Sequence, residues 1–249
     1  MPRLSFLTLG VGNAFSARHF SSCLAVTYAG SWLLVDCPHP ILKMLAHAVE
    51  KAGRGPEIGT LQGVILTHLH GDHVSGLEIL GYYFRFVLQR RLPILLHPDV
   101  LEDLWPHCLS GSMKWTLRAG KKPERHRLAD FFQVKVLREK KPVRLGPFSI
   151  LCRPVVHSIP AIALRLSAGG RELAYSGDTV FDPALLDWLS AADLVIHEAG
   201  EGFAHTPYEK LAELAPELRG RMRLIHYPDR FDPAASVIPC LREGEWCDV

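Results

Sequence analysis

The stretch ILTHLHGDHVSG, residues 65–76, places three histidines and an aspartate in the six positions from His68 to His73. It follows the apolar run "GVIL", which reads as a short buried strand. Extended chain points residues i and i+2 to one face, so His68 and His70 leave the strand end together as a natural ligand pair for one metal ion. Gly71 permits a tight turn just after them. Asp72 and His73 then fall where the next helix begins, displaced from the first pair and free to bind a second ion. Imidazole with carboxylate suits zinc first, with manganese or iron as alternatives.

Outward from this cluster, the 249-residue chain has an ordinary globular composition, 48% hydrophobic and 22% charged. A net charge of +2 gives no global electrostatic case for nucleic acid. The one local exception is the aperiodic segment Ser110–Leu128, which carries Lys114, Arg118, Lys121, Lys122, Arg125 and Arg127, enough to attract a polyanion or simply to stay solvated. Six scattered cysteines without C-x-x-C spacing read as reduced thiols of a cytoplasmic protein. No apolar run reads as a signal peptide or a membrane span.

The first half alternates strands ("LSFLTLG", "CLAVTYAG", "SWLLVDC") with helical patterns ("HPILKMLAHAVEKAG", "HVSGLEILGYYFRFVLQ", "PDVLEDLWPHCL"). The second half runs through "FFQVKVL", "GPFSILCRPV", "AIALRLSA" and "RELAYSG". It then mixes helices ("PALLDWLSAA", "PYEKLAELAPEL") with the strands "DLVIHEA" and "MRLIHY". Strands first and mixed elements later, twice over, predict an α/β fold of two mixed sheets face to face with helices outside, as a single domain over 1–249.

The motif "THLHGDH" resembles the HxHxDH signature of metallo-β-lactamase-fold hydrolases, which implies an αβ/βα four-layer sandwich with its metal site along one edge. The resemblance runs from "LGVGNAFSARHFSSCL" to "LIHYPDRF". It implies two divalent ions, zinc by default: His68, His70 and His157 on one, Asp72, His73 and His226 on the other, and Asp178 of "SGDT" between them. A metal-bridging hydroxide would be the nucleophile. Asp36 of "LLVDC" matches an aspartate that organises the site without binding metal.

The segment "HEAGEGFAHT" before "RLIHYPDRF" resembles the tRNase Z-like phosphodiesterase branch, in which a His-Ser/Thr pair follows the "HEA" strand end. That match makes His205 the donor of a proton to the leaving alkoxide, with Glu198 orienting it. The candidate catalytic residues are therefore Asp72, His205 and Glu198. Capping is the competing role: Thr206 as N-cap and Pro207 in the first turn of a helix, with Glu198 a buried or capping carboxylate. His197 points to the opposite strand face and reads as structural.

The long tRNA-gripping arm of true tRNase Z enzymes is missing, and "DCPHPIL" replaces "DCGEGTQ", which puts pre-tRNA in doubt. The expected substrate is a small or cyclic phosphodiester or a nucleic-acid end. Hydrolysis of a lactone, ester or thioester at the same metals is the alternative, as is a metal- or nucleotide-binding protein with little turnover. No membrane partner is expected, and the oligomeric state, homodimer included, is left open.

Overall fold

A computed structural model describes residues 2–117 and 119–249. In chain order the strands are β1 (Ser5–Gly10), β2 (Cys23–Tyr28), β3 (Ser31–Val35), β4 (Leu61–Ile65), β5 (Leu92–Leu96), a short ribbon of β6 (Trp115–Thr116) and β7 (Glu124–Arg125), and β8 (Phe132–Val136). The second half adds β9 (Val143–Leu145), β10 (Phe148–Val155), β11 (Ala161–Ala168), β12 (Arg171–Tyr175), β13 (Leu194–Glu198), β14 (Met222–Ile225) and β15 (Trp246–Asp248). One sheet has the order β15-β1-β2-β3-β4-β5-β8 and the other β14-β13-β12-β11-β10-β9.

Alternation along the strands builds the layers. In β3, Leu33 and Val35 enter the core between the sheets, while Trp32 and Leu34 pack under the helices of the first half. In β13, Leu194 and Ile196 face the other sheet, and Val195 packs with Leu185, Leu189 and Leu211 of the outer helices. Both faces of both sheets are thus covered, giving the αβ/βα four-layer sandwich expected.

Strand direction decides where a site can form. β3, β4, β5 and β8 run parallel, as do β12, β13 and β14. β10 reaches β12 through two antiparallel pairings and so shares its direction. The carboxyl ends of these strands line one edge of the sandwich. Asp36, the segment His68–His73, His157, Asp178, Glu198 and His226 all lie at or just past those ends.

Several element boundaries depart from the sequence reading. The helix expected over 73–89 divides into Gly71–Val74, Leu77–Tyr82 and a π-helical turn Tyr83–Val87. The break falls at Gly76, whose N–H bonds Cys37 O at 2.8 Å and whose absent Cβ would meet Pro38 C at 2.8 Å. Pro106, lacking an N–H, sits in a second π-helical turn, Leu104–Leu109. The helix expected over 207–218 becomes two, Tyr208–Ala212 and Pro216–Gly220, interrupted ahead of Pro216. Of the aperiodic basic segment, residues 110–113 extend the preceding helix and the β6–β7 ribbon follows. Arg118 lies outside the described residues.

Candidate metal centre

His68, His70, His157 and Asp178 each bring one donor atom into a group whose members lie within 4.8 Å of one another. Asp72, His73 and His226 form a second such group, and Asp178, His205 and His226 a third. All seven expected ligand residues therefore converge, although the first and last are 158 positions apart in sequence.

Hydrogen bonds on the far side of three of the rings set their orientation. His73 Nδ1 lies 2.9 Å from Asp36 Oδ2, which leaves Nε2 aimed inward. His68 Nδ1 lies 3.0 Å from Thr67 Oγ1, itself donating to Asp36 at 2.9 Å. His157 Nδ1 donates to Ala204 O at 2.9 Å, turning Nε2 toward His70, 3.1 Å away. Asp36 is wholly buried and also accepts the Thr67 N–H at 2.8 Å. It orients two rings without entering the donor group. Thr67 lies beside His68 in sequence but outside the expected donor set, and only the fold brings the Ala204 carbonyl to His157.

Asp178 occupies the centre. One of its oxygens is 3.8 Å from His68 Nε2, 3.5 Å from His73 Nε2 and 3.3 Å from His226 Nε2. Asp72 lies 3.4 Å from His73 Nε2 and 3.3 Å from His226 Nε2. Gly177 takes φ +60 immediately before Asp178, and a Cβ there would meet Ile162 O at 2.6 Å, so glycine suits this turn. Gly71, by contrast, has open space around its missing Cβ and no left-handed φ, so the turn after His70 does not require glycine. Asp36 and His226 do adopt left-handed φ, 62° and 59°, the kind of backbone cost that gathers where side-chain placement matters.

The chemistry of this donor set fits divalent cations. His68 Nε2, His73 Nε2 and Asp178 Oδ1 are buried with no hydrogen-bond partner, a costly arrangement that coordination relieves. Burial pushes the pKa of His68 well down, and those of His70 and His157 down as well, so their lone pairs are free. Burial alone would do the same to His73, but Asp178 and Asp36 reverse it and raise its pKa. Burial would likewise raise Asp72 and Asp178, yet the neighbouring His226 and His73 hold both well below the usual carboxylate range. The site thus concentrates negative charge where a cation would sit.

His205 stands at the rim. Its Nδ1 lies 3.0 Å and 3.1 Å from the two Glu198 oxygens, and its ring stacks on His226 with centroids 5.2 Å apart. Glu198 is buried and also accepts the N–H groups of Thr179 at 2.6 Å and Gly200 at 3.0 Å. Burial and the charge of Asp178 push its pKa up. A Cβ on Gly200 would fall 2.8 Å from His205 Cβ, so the close fold of this loop depends on glycine. Thr206 does not take the competing N-cap role: its hydroxyl is buried and donates to Thr179 O at 2.9 Å, locking the His205 loop to the turn carrying Asp178. His197 is buried on the opposite face, with Nδ1 donating to Glu198 O at 2.8 Å.

A cleft of about 810 Å³ opens over the cluster, lined by His70, Asp72, Asp178, His205 and His226 with Phe15, Gly202 and Arg230 on its walls. No described residue of the basic segment 110–128 is among its lining residues.

Fold and site together define a metal-dependent hydrolase of the metallo-β-lactamase fold. The chain belongs to the Anti-Pycsar protein Apyc1 family, whose model matches residues 4–241. It is 32% identical to the Anti-Pycsar protein Apyc1 of Paenibacillus sp. (strain J14), over 95% of this chain and 96% of that one. Its fold is similar to that of the metallo-β-lactamase fold protein YhfI from Bacillus subtilis, with TM-score 0.76 and 19% identity over all of both chains. Short-form human tRNase Z is also similar, with TM-score 0.70 and 19% identity over 98% of each chain.

Proposed function

We propose that this protein is a single-domain phosphodiesterase that opens a small cyclic phosphodiester, of the cyclic nucleotide class, at a centre of two divalent ions. His68, His70 and His157 would hold one ion, Asp72, His73 and His226 the other, with Asp178 between them. Zinc is the first candidate for an all-imidazole and carboxylate donor set. Membership of the Apyc1 family supports the cyclic nucleotide over a nucleic-acid end, as does a cleft on the scale of a mononucleotide.

The observation that carries the reading is the His205–Glu198 pair beside the donor cluster. Phosphodiester cleavage expels an alkoxide, a poor leaving group that needs a proton. With Nδ1 held by Glu198, His205 has Nε2 left to deliver that proton into the cleft. Glu198 keeps the ring in one tautomer and steadies the imidazolium. Asp36 and Ala204 O keep His73 and His157 aimed inward. Divalent ions bound here supply acidified water and neutralise charge on the phosphoryl oxygens.

The test is purified, metal-analysed protein assayed on 3′,5′-cyclic nucleotides, bis(p-nitrophenyl) phosphate and a lactone panel. Turnover of lactones without phosphodiesters would overturn the proposal. His205→Ala should retain the wild-type metal content and lose about 10²–10⁴-fold in kcat on cyclic nucleotides. Loss of metal in this variant would instead make His205 a ligand, as its place beside Asp178 and His226 allows.

A further inference from the structure

We propose that Phe15 is the platform on which the substrate's base stacks, so that it sets a preference for nucleotides over base-free phosphodiesters. This rests on the phosphodiesterase reading above and adds a recognition site to it. The loop between β1 and β2 is pinned at many points. The N–H groups of Val11 and Gly12 bond Phe20 O at 2.9 and 2.8 Å, Ser22 N bonds Gly12 O at 3.1 Å, and His19 N bonds Ser16 Oγ at 2.9 Å. Further bonds tie the loop to the segment that carries His226, Ser16 Oγ donating to Asp229 Oδ1 among them. Tyr227 N donates to Val11 O at 3.2 Å, and Ala17 N to Asp229 Oδ2 at 2.8 Å. The loop is therefore held in register with the donor cluster.

At its tip Phe15 is 93% exposed, although its own N–H is fixed to Asn13 Oδ1 at 3.1 Å. A pinned backbone thus holds an uncovered aromatic ring on the wall of the cleft that contains Asp72, Asp178, His205 and His226. Covering an exposed phenylalanine removes apolar surface from water, which favours binding. With the phosphodiester at the donors, the flat apolar part of a nucleotide is its base, and every base offers a face for stacking. Asn13 adds an edge contact: with Oδ1 taken by Phe15 N, its Nδ2 has no hydrogen-bond partner among the described residues and can donate to a base carbonyl. Phe203 is even more exposed, but the neighbouring Gly202, not Phe203, lines the cleft.

Steady-state kinetics of the metal-loaded chain on a 3′,5′-cyclic nucleotide and on 1-O-methylribose 3,5-cyclic phosphate, which lacks a base, test this directly. Phe15→Ala should raise KM for the nucleotide about tenfold or more, leave its kcat unchanged, and leave both constants for the base-free diester unchanged. Phe15→Trp should restore the nucleotide KM. An unchanged KM in Phe15→Ala, or equal losses on both substrates, overturns the proposal. If wild type turns over neither substrate, the phosphodiesterase reading falls. Equilibrium binding of a nucleoside 5′-monophosphate then judges Phe15 alone: about tenfold weaker binding in Phe15→Ala supports the platform, and equal Kd in the two proteins overturns it.

Discussion

Asp36 governs two of the proposed ligands without joining them. Its carboxylate receives Thr67 N and Oγ1 and faces His73 Nδ1, so one buried charge fixes the directions of His68 and His73. In Asp36→Asn the amide still accepts from Thr67, but it no longer offers His73 a carboxylate. The expected outcome is a folded protein by circular dichroism with metal affinity reduced about 10–100-fold, read by metal analysis after equilibrium dialysis. At this scale the sequence was informative wherever donors are close together: THLHGDH announces itself. His157, Asp178 and His226 each give a weak signal and became legible through their order and context. Thr67 and the carbonyl of Ala204 were not legible, since an orienting threonine or carbonyl looks like any other until the chain is folded.

β13 shows what alternation does within an element. Leu194, Ile196 and Glu198 face the other sheet, and the last of these ends at the site, while His197 turns into the buried opposite side. Burial pushes the His197 pKa down to about 4, with its bond to Glu198 O working against the shift. The unfolded chain titrates near the ordinary 6.5, so it binds more protons than the folded chain between pH 6.5 and 4. Stability must fall as pH drops through that window, by up to about 3 kcal/mol from this residue, and the penalty is absent above it. Denaturant titrations at pH 7 and pH 4.5 should show a smaller acid loss in His197→Gln than in wild type; equal losses would remove His197 as a cause. The facing of β13 was readable from period-two spacing alone. The break at Gly76 was not, because it comes from docking on Cys37 and Pro38, contacts that local pattern does not reveal.

The whole molecule joins its two sheets at the donor cluster. His68 to His73 follow a strand of one sheet, and His157, Asp178 and His226 follow strands of the other. Ions bound there favour the folded chain by mass action, since the separated donors bind more weakly. A chelator should therefore lower the melting temperature, and added zinc should restore it; an unchanged melting temperature on verified metal loss would show that the sheets need no ion to stay together. The two-sheet plan was legible because each half repeats strands followed by mixed elements. The edge strands β9 and β15 were missed: each has three residues, too few for a period, and β15 takes its place only by pairing with β1 across the length of the chain.

This division of the donors has a consequence for biogenesis. His73 is made 153 residues before His226, an interval on the order of ten seconds at typical rates of translation. Within that interval the proposed His68–His70–His157 set with Asp178 is complete once Asp178 is made, while Asp72 and His73 still lack His226. The proposed Asp72–His73–His226 set is complete only once β14 docks and brings His226 into place. A chain stalled before that strand would carry most of the ligands and no finished centre.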